Sequence, residues 1–305
     1  MDINSNTFQN KSYLQHSDHF KEYTQDGEKA AQAKTWFEKD TVDAWRHQRM
    51  YQALDPILTT EPSMKWLTVG DGRYGKDAKY IIEKGCDALA TDISEYLLKE
   101  ANAYGYIKNY KVENAESLSF KDSEFDFIFC KESYHHFPRP MVALYEMLRV
   151  AKTGVILVEP NDPYITDKFS NLFFRNFKNT VKYLLGKKNS KHSFEESGNY
   201  VFSISKREIE KVALGLNYKI VAFKEINDAY VTGVEYEKLA DKGPLQKKVK
   251  MLIYIRNFLA KIGLSNYGLL ASIIFKNTPS NDLLQKLDSG GYKIVQLPEN
   301  PYISD

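Results

Sequence analysis

Between Trp66 and Asp92 the chain reads WLTVGDGRYGKDAKYIIEKGCDALATD, and three glycines and an acid in it have the types and spacing for chemistry. Gly70, Gly72 and Gly75 share one short turn. Glycine lets a backbone approach a ligand closely and adopt positive φ. A helix starting after such a turn presents free N–H groups and the positive end of its dipole. Asp92 follows about 20 residues on, where a carboxylate takes both hydroxyls of a ribose. The set reads as a site for a nucleoside-containing cofactor. Which cofactor stays open at this point, because Gly70-Asp71-Gly72-Arg73-Tyr74-Gly75 also fits the G-x-G-x-x-G dinucleotide fingerprint.

These residues need a strand, a helix and a second strand to hold them. Trp66, Leu67 and Val69 form an apolar run that suits a buried strand. Ala78, Ile81 and Ile82 recur at helical spacing, and Gly85 ends that helix. Residues 88–91 form the second strand, with Asp92 at its tip. Alternation continues downstream. Strands are expected at 110–112, 125–130, 155–158, 218–223 and 269–275. Helices are expected at 94–103, at 140–150 with Met141, Leu144, Tyr145 and Leu148 inward, and from the capping box at Ser205 and Glu208 to residue 214. Thr41 caps a helix running to residue 54, and the chain closes with a short helix and a strand at 292–297. Strands separated by helices predict an α/β fold with a doubly wound, mostly parallel sheet. Ligands then sit at the carboxyl ends of its strands.

The stretches that follow narrow the cofactor. Asn114-Ala115-Glu116-Ser117-Leu118-Ser119-Phe120, Phe125 with Asp126, Tyr134-His135-His136-Phe137-Pro138 and Leu148-Arg149-Val150-Ala151-Lys152-Thr153-Gly154 come in this order. The series resembles the class I S-adenosylmethionine-dependent methyltransferases, in their small-molecule branch, over about residues 66–160 and again near 202–223. The resemblance implies a Rossmann-like methyltransferase fold, S-adenosylmethionine as cofactor and an antiparallel final strand at 269–275. It implies cofactor contacts from Gly70, Gly72, Gly75, Asp92, Asn114 and Ala115. Ile93 is expected to pack on the adenine and Glu116 to assist. Asp71 either lies near the methionine amine or caps the following helix. Cys130 is counted with the cofactor residues as a packed strand residue rather than a nucleophile. Three departures stand out: Thr68 replaces an acid, Asn114 replaces the adenine-side acid, and the glycine loop is one residue longer than the commonest form.

Methyl transfer from a sulfonium is an in-line displacement, so the protein chiefly aligns acceptor and methyl and excludes water. A hydroxyl acceptor also needs a base. His135 and His136 are the candidate catalytic residues, with His135 preferred. Lys131, Glu132, Glu159 and Asn161 end neighbouring strands and are expected to line the acceptor site. Phe173 and Phe177 are expected to join them from an inserted lid, whose basic face at Arg175, Lys178 and Lys182 would meet an anionic acceptor group. No metal is expected.

The chain has 305 residues, 43% hydrophobic and 27% charged, with net charge +2. This is ordinary globular composition and gives no expectation of nucleic acid. With no apolar run of spanning length, no apolar leader and only Cys86 and Cys130, a cytoplasmic setting is expected. The expected organisation is a helical cap at 1–59, a catalytic domain at 60–278 with insertions at 161–200 and 229–266, and a tail at 279–305. Tyr13, Tyr23 and Trp36 are candidate site walls from the cap. Residues 168–191 carry seven Lys or Arg and no acid, with Phe169, Phe173, Phe177 and Val181 at helical spacing. In 229–266, Met251, Leu252, Ile255, Phe258, Leu259 and Ile262 are expected on one helical face. The leading function is O-methylation of a sugar, phenol or natural-product intermediate. Competing readings are an NAD-linked oxidoreductase, a methyltransferase on a lipid or quinone precursor with peripheral membrane contact, and a non-catalytic cofactor-fold protein. The sequence leaves the oligomeric state open.

Overall fold

A computed structural model describes residues 8–25, 27–61, 63–166, 168–185, 192–195 and 199–302, apart from the side chains of Lys178, Lys182 and Tyr183. Four helices come first: α1 (Phe8–Glu22), α2 (Glu28–Thr35), α3 (Val42–Tyr51) and α4 (Asp55–Leu58). The core alternates as β1 (Lys65–Val69), α5 (Lys76–Glu83), β2 (Asp87–Asp92), α6 (Tyr96–Ala103), β3 (Tyr110–Val112), β4 (Phe125–Lys131), α7 (Pro140–Val150) and β5 (Ala151–Pro160). Then come α8 (Phe169–Leu184), α9 (Lys206–Gly215), β6 (Ile220–Ile226), α10 (Pro244–Lys261), β7 (Leu269–Phe275), α11 (Asn281–Ser289) and β8 (Lys293–Gln296).

The strands form one sheet in the order β3-β2-β1-β4-β5-β7-β6-β8. β1 to β5 are mutually parallel, while β7 runs antiparallel to both β5 and β6. The chain reverses in sheet order between β3 and β4, so β1 and β4 diverge at a switch point and leave a crevice at their carboxyl ends. β8 pairs antiparallel with β6, so the strand expected near the end of the chain forms the edge of the sheet.

Strand alternation divides the core between the two faces of the sheet. Trp66, Phe127, Phe129 and Phe275 pack on one face; Leu67, Val69, Phe125, Ile128 and Cys130 pack on the other. Trp66 stacks on Phe127 at 5.0 Å, and Phe275 meets Phe127 edge-on at 6.3 Å. Truncating so enclosed a phenylalanine to alanine costs about 3–5 kcal/mol.

Several element limits differ from expectation for identifiable reasons. The Ser94 N–H donates to Asp92 Oδ1 at 2.8 Å, so the α6 helix starts two residues later than the apolar pattern suggests. In α7 the buried positions are Ala143, Leu144, Met147 and Leu148, while Met141 and Tyr145 are exposed. The helix phase follows the small Ala143 against the sheet rather than the aromatic Tyr145. Two caps form as expected: Thr41 Oγ1 accepts from the Ala44 N–H and Ser205 Oγ from the Glu208 N–H.

Candidate active site

One cavity opens at the carboxyl ends of β1, β2 and β4. Its floor is the sheet and its roof is α1, which contributes Ser12, Tyr13, His16, His19 and Phe20; Tyr23 and Trp36 continue that wall. The expected cap residues Tyr13, Tyr23 and Trp36 therefore line the cavity.

The glycine loop serves this cavity in unequal ways. Gly70 has φ 75°, and a Cβ there would collide with the Ser133 side chain, which donates from Oγ to the Gly70 carbonyl at 2.6 Å. A Cβ on Gly72 would meet the Asp92 carboxylate. Gly70 lines the cavity; Gly72 and Gly75 lie behind it and let the loop close on β2. Asp71 borders the cavity, but its oxygens accept from Thr68 Oγ1 at 2.8 Å and from the N–H groups of Asp77 at 3.1 Å and Ala78 at 2.9 Å. Of its two expected roles, Asp71 takes the helix cap, and the otherwise unusual Thr68 is its donor. Burial and the neighbouring Asp77 hold the Asp71 carboxyl well above the usual range.

Asp92 is buried at the tip of β2 and faces the cavity with no cation beside it among the described residues. Burial pushes its pKa up to about 6, against N–H groups of Ser94, Gly72 and Ile93 that favour the carboxylate. Ile93, Asn114, Ala115 and Glu116 also line the cavity. Two of them are already engaged. Asn114 Oδ1 accepts from the Glu116 N–H at 2.9 Å, so it chiefly shapes the turn. Glu116 accepts from Arg139 N at 2.7 Å and Nε at 2.6 Å, which spends its carboxylate on the protein. The Tyr13 hydroxyl is buried among Asn114, Glu116 and Arg139, within reach of all three but in good hydrogen-bond geometry with none of the described residues. A buried polar group so placed beside a cavity fits a polar ligand edge.

The turn after β4 supplies the opposite wall. Lys131, Glu132, Ser133 and His136 face the cavity. Glu132 adopts φ 50°, a conformation that non-glycine residues rarely hold and that clusters at functional sites. Lys131 Nζ lies 3.6 Å from both Asp77 and Glu132. Burial opposes its charge, but these two acids outweigh burial and raise its pKa. Arg73 stacks over Trp36 at 4.9 Å and forms no ion pair among the described residues.

The two histidines separate. His136 lines the cavity, and its Nδ1 meets the Glu195 carboxylate. Asn199 Nδ2 donates to the His136 carbonyl at 2.9 Å, and Ser12 Oγ donates to Asn199 Oδ1. His135 does not line the cavity. Its Nδ1 donates to Glu159 Oε2 at 2.6 Å, and Glu159 Oε1 accepts from Ser133 N at 2.9 Å and Tyr134 N at 3.0 Å. Burial would lower the His135 pKa, but Glu159 reverses that and raises it. Of the two candidates it is thus His136, not the preferred His135, that faces the cavity, and His135 is the buried partner of Glu159.

Five more expected site residues lie elsewhere. Glu159 is fully buried and holds the 133–135 turn rather than meeting an acceptor. Cys130 points into the core beneath it, where burial first and Glu159 second push its thiol well up. Asn161 Nδ2 donates to the Tyr267 carbonyl at 3.1 Å and pins β5 to the segment before β7. Phe173 and Phe177 stand exposed on α8, outside the cavity. That helix lies by α10 and not over the strand ends, because Lys168 and Ser170 donate to the carbonyls of Ala260 and Gly263. Arg175 donates to the carbonyls of Pro163 and Tyr164, while the side chains of Lys178 and Lys182 fall outside the described residues. Sequence reading picks Tyr13 and Tyr23 from this wall and misses Ser12, His16, His19 and Phe20, although His16, His19, Phe20 and Tyr23 recur at helical spacing.

Residues 67–158 match the methyltransferase domain family. The chain is similar to a solved SAM-dependent methyltransferase from Methanosarcina mazei, at 19% identity over 73% of this chain and 98% of that one, with TM-score 0.45. A Thermotoga maritima SAM-dependent methyltransferase is 16% identical over 87% and 100%, with TM-score 0.46. One from Archaeoglobus fulgidus is 15% identical over 76% and 94%, with TM-score 0.47. No curated protein matches the chain significantly. The matched stretch begins in β1, before the glycine loop, and ends in β5, so it contains Asp92, the 113–116 turn and the 131–136 turn. Residues 67–158 therefore carry a methyltransferase domain, an enzyme domain whose cofactor is S-adenosylmethionine.

Proposed function

We propose that the protein methylates an oxygen of a small-molecule acceptor, such as a sugar, a phenol or a natural-product intermediate. The observation that carries this reading is the concave, partly covered cavity between α1 and the strand ends, with His136 in its wall and a carboxylate on His136 Nδ1. A concave, covered site suits a small acceptor better than a macromolecular one.

In this reading Asp92 accepts from the ribose hydroxyls, Ile93 packs on the adenine, and Ala115 and the Tyr13 hydroxyl meet the adenine edge. Gly70 gives the methionine portion its approach. Arg73 suits an anionic group of cofactor or acceptor. Bound S-adenosylmethionine supplies an electrophilic methyl group. His136 takes the proton from the acceptor hydroxyl, with Glu195 fixing the ring orientation. Lys131 and Glu132 border the acceptor, and α1 excludes water. Residues 1–59 serve as the cap, 60–278 as the catalytic domain with insertions at 161–200 and 229–266, and the last strand completes its sheet. The two buried, unbridged cysteines support a cytoplasmic setting.

The test uses labelled S-adenosylmethionine with a panel of sugar, phenol and amine acceptors. Label in an oxygen-linked methyl group, lost in His136→Ala with S-adenosylhomocysteine binding kept, supports the reading. Turnover only on amines, or full activity in His136→Ala, overturns it.

A further inference from the structure

Two inserted helices present apolar side chains to solvent in an ordered way. In α10 the buried positions are Gln246, Val249, Ile253 and Ala260. The exposed apolar positions are Met251, Tyr254, Ile255 and Phe258, with Ile262 at the helix end, all on one helical face; Tyr254 is 73% exposed. At about 100° per residue the two sets lie on opposite sides of the helix. The helix therefore has one apolar stripe in the protein and a second facing away from it. Neither core packing nor helix propensity calls for the second.

α8 is turned the same way. It is fixed to the protein by polar contacts: Ser170 Oγ donates to the Gly263 carbonyl at 2.7 Å, and Asn171 Nδ2 donates to Asn266 Oδ1 at 2.7 Å. Its phenylalanine side chains point outward. Phe169 is 81% exposed, and Phe173, Phe174 and Phe177 are exposed with it. Lys168 Nζ donates to the Ala260 carbonyl at 2.8 Å, so the start of α8 abuts the end of α10. Two neighbouring helices with exposed apolar stripes mark an interaction surface.

Charge selects the occupant. By sequence α8 carries three Lys or Arg and no acid over residues 169–184, and α10 carries five and no acid over residues 244–261. A second copy docked face to face would set like charges against like. An anionic lipid surface complements both features: side chains such as Phe and Tyr seat at the boundary of headgroups and acyl chains, and the basic residues meet the headgroups. No helix among the described residues is long and apolar enough to cross a membrane, so contact through these helices would lie along the surface. We propose that α8 and α10 together form a docking face for an anionic membrane surface.

Flotation of the full chain with vesicles tests this. Vesicles of phosphatidylcholine mixed with phosphatidylglycerol should carry the protein, pure phosphatidylcholine vesicles should not, and salt should weaken the binding. The triple substitution Phe169→Ser, Phe173→Ser, Phe177→Ser should lower the bound fraction at least about tenfold. The pair Tyr254→Ser, Phe258→Ser on the other helix should do the same, and Tyr104→Ser, an exposed tyrosine on α6's far end, should leave it unchanged. All these side chains are exposed, so the melting temperature and S-adenosylhomocysteine affinity should stay at wild-type values. No flotation with the anionic vesicles at low salt overturns the proposal, as does equal flotation of all variants. Light scattering that finds a dimer which both helix variants convert to monomer would assign the face to self-association and overturn it equally.

Discussion

Gly72 stands so close to Asp92 that a Cβ built on it would lie 2.8 Å from Oδ2 and 2.9 Å from Cγ. The glycine loop thus closes directly onto the acid at the tip of β2. Gly72→Ala must push the carboxylate aside, whereas Asp92→Asn keeps the space and removes the charge. Charge-assisted hydrogen bonds are worth about 1.5–3 kcal/mol each, so Asp92→Asn should weaken S-adenosylhomocysteine binding about tenfold to a hundredfold. Gly72→Ala should weaken it too, with the fold intact. Calorimetry reads both, and wild-type affinity in either folded variant would remove Asp92 from the ribose.

The same carboxylate sets a pH dependence with two opposite signs. Burial raises Asp92 from 3.8 to about 6 in the folded protein. Its contribution to apo-protein stability is therefore full below the unfolded value and is lost as pH rises through about 6. Binding runs the other way, because a ribose diol needs the ionised acceptor. S-adenosylhomocysteine affinity should rise with pH up to about 6 and then level off. A titration of Kd against pH checks this; a flat profile from acid to neutral pH would show that the carboxylate is not the contact.

Asp92 was legible from sequence because strand, glycine turn, helix and strand are local patterns with fixed spacing. The succession of core strands and helices along the chain, and a mostly parallel sheet, followed from the same alternation. What sequence reasoning missed depends on contacts between distant residues. Phe173 and Phe177 form an apolar stripe that a periodicity argument assigns inward, yet α8 is held at its first turn by Ser170 and on its polar side by Asn171 and Arg175. Residue types near a strand end cannot separate His135 from His136; only the position of Glu159 on β5 and Glu195 beyond α8 does so. Thr68 looked like a lost acid until Asp71 was seen to accept from it.

His135 and His136 should consequently fail in different ways. His136→Ala should slow methyl transfer by about 10²–10⁴ with cofactor affinity kept. Glu159→Gln should cost about 3–5 kcal/mol of stability, because it leaves His135 without its buried partner. Thermal or urea unfolding reads the second effect and single-turnover transfer the first. Equal loss of transfer in a stable His135→Ala variant would return the base to His135.

The last prediction concerns the roof. His16 sits in α1 with its ring 6.0 Å from His136 and 5.2 Å from Phe20. Burial, then the nearby His136, lower its pKa to about 4, with Glu195 opposing and His19 adding to the shift. The docked helix therefore holds His16 neutral, while a released helix titrates near 6.5. Docking is supported fully above that value and loses support as pH falls through it toward about 4. Hydrogen exchange over residues 8–22 of the apo-protein, corrected for the intrinsic rate, should lose protection between neutral pH and about pH 5. His16→Phe keeps a ring and removes the titration, so its protection should persist. Protection in the wild-type chain that is unchanged by acidification would mean that other contacts, such as Ser12 with Asn199, fix α1 without His16.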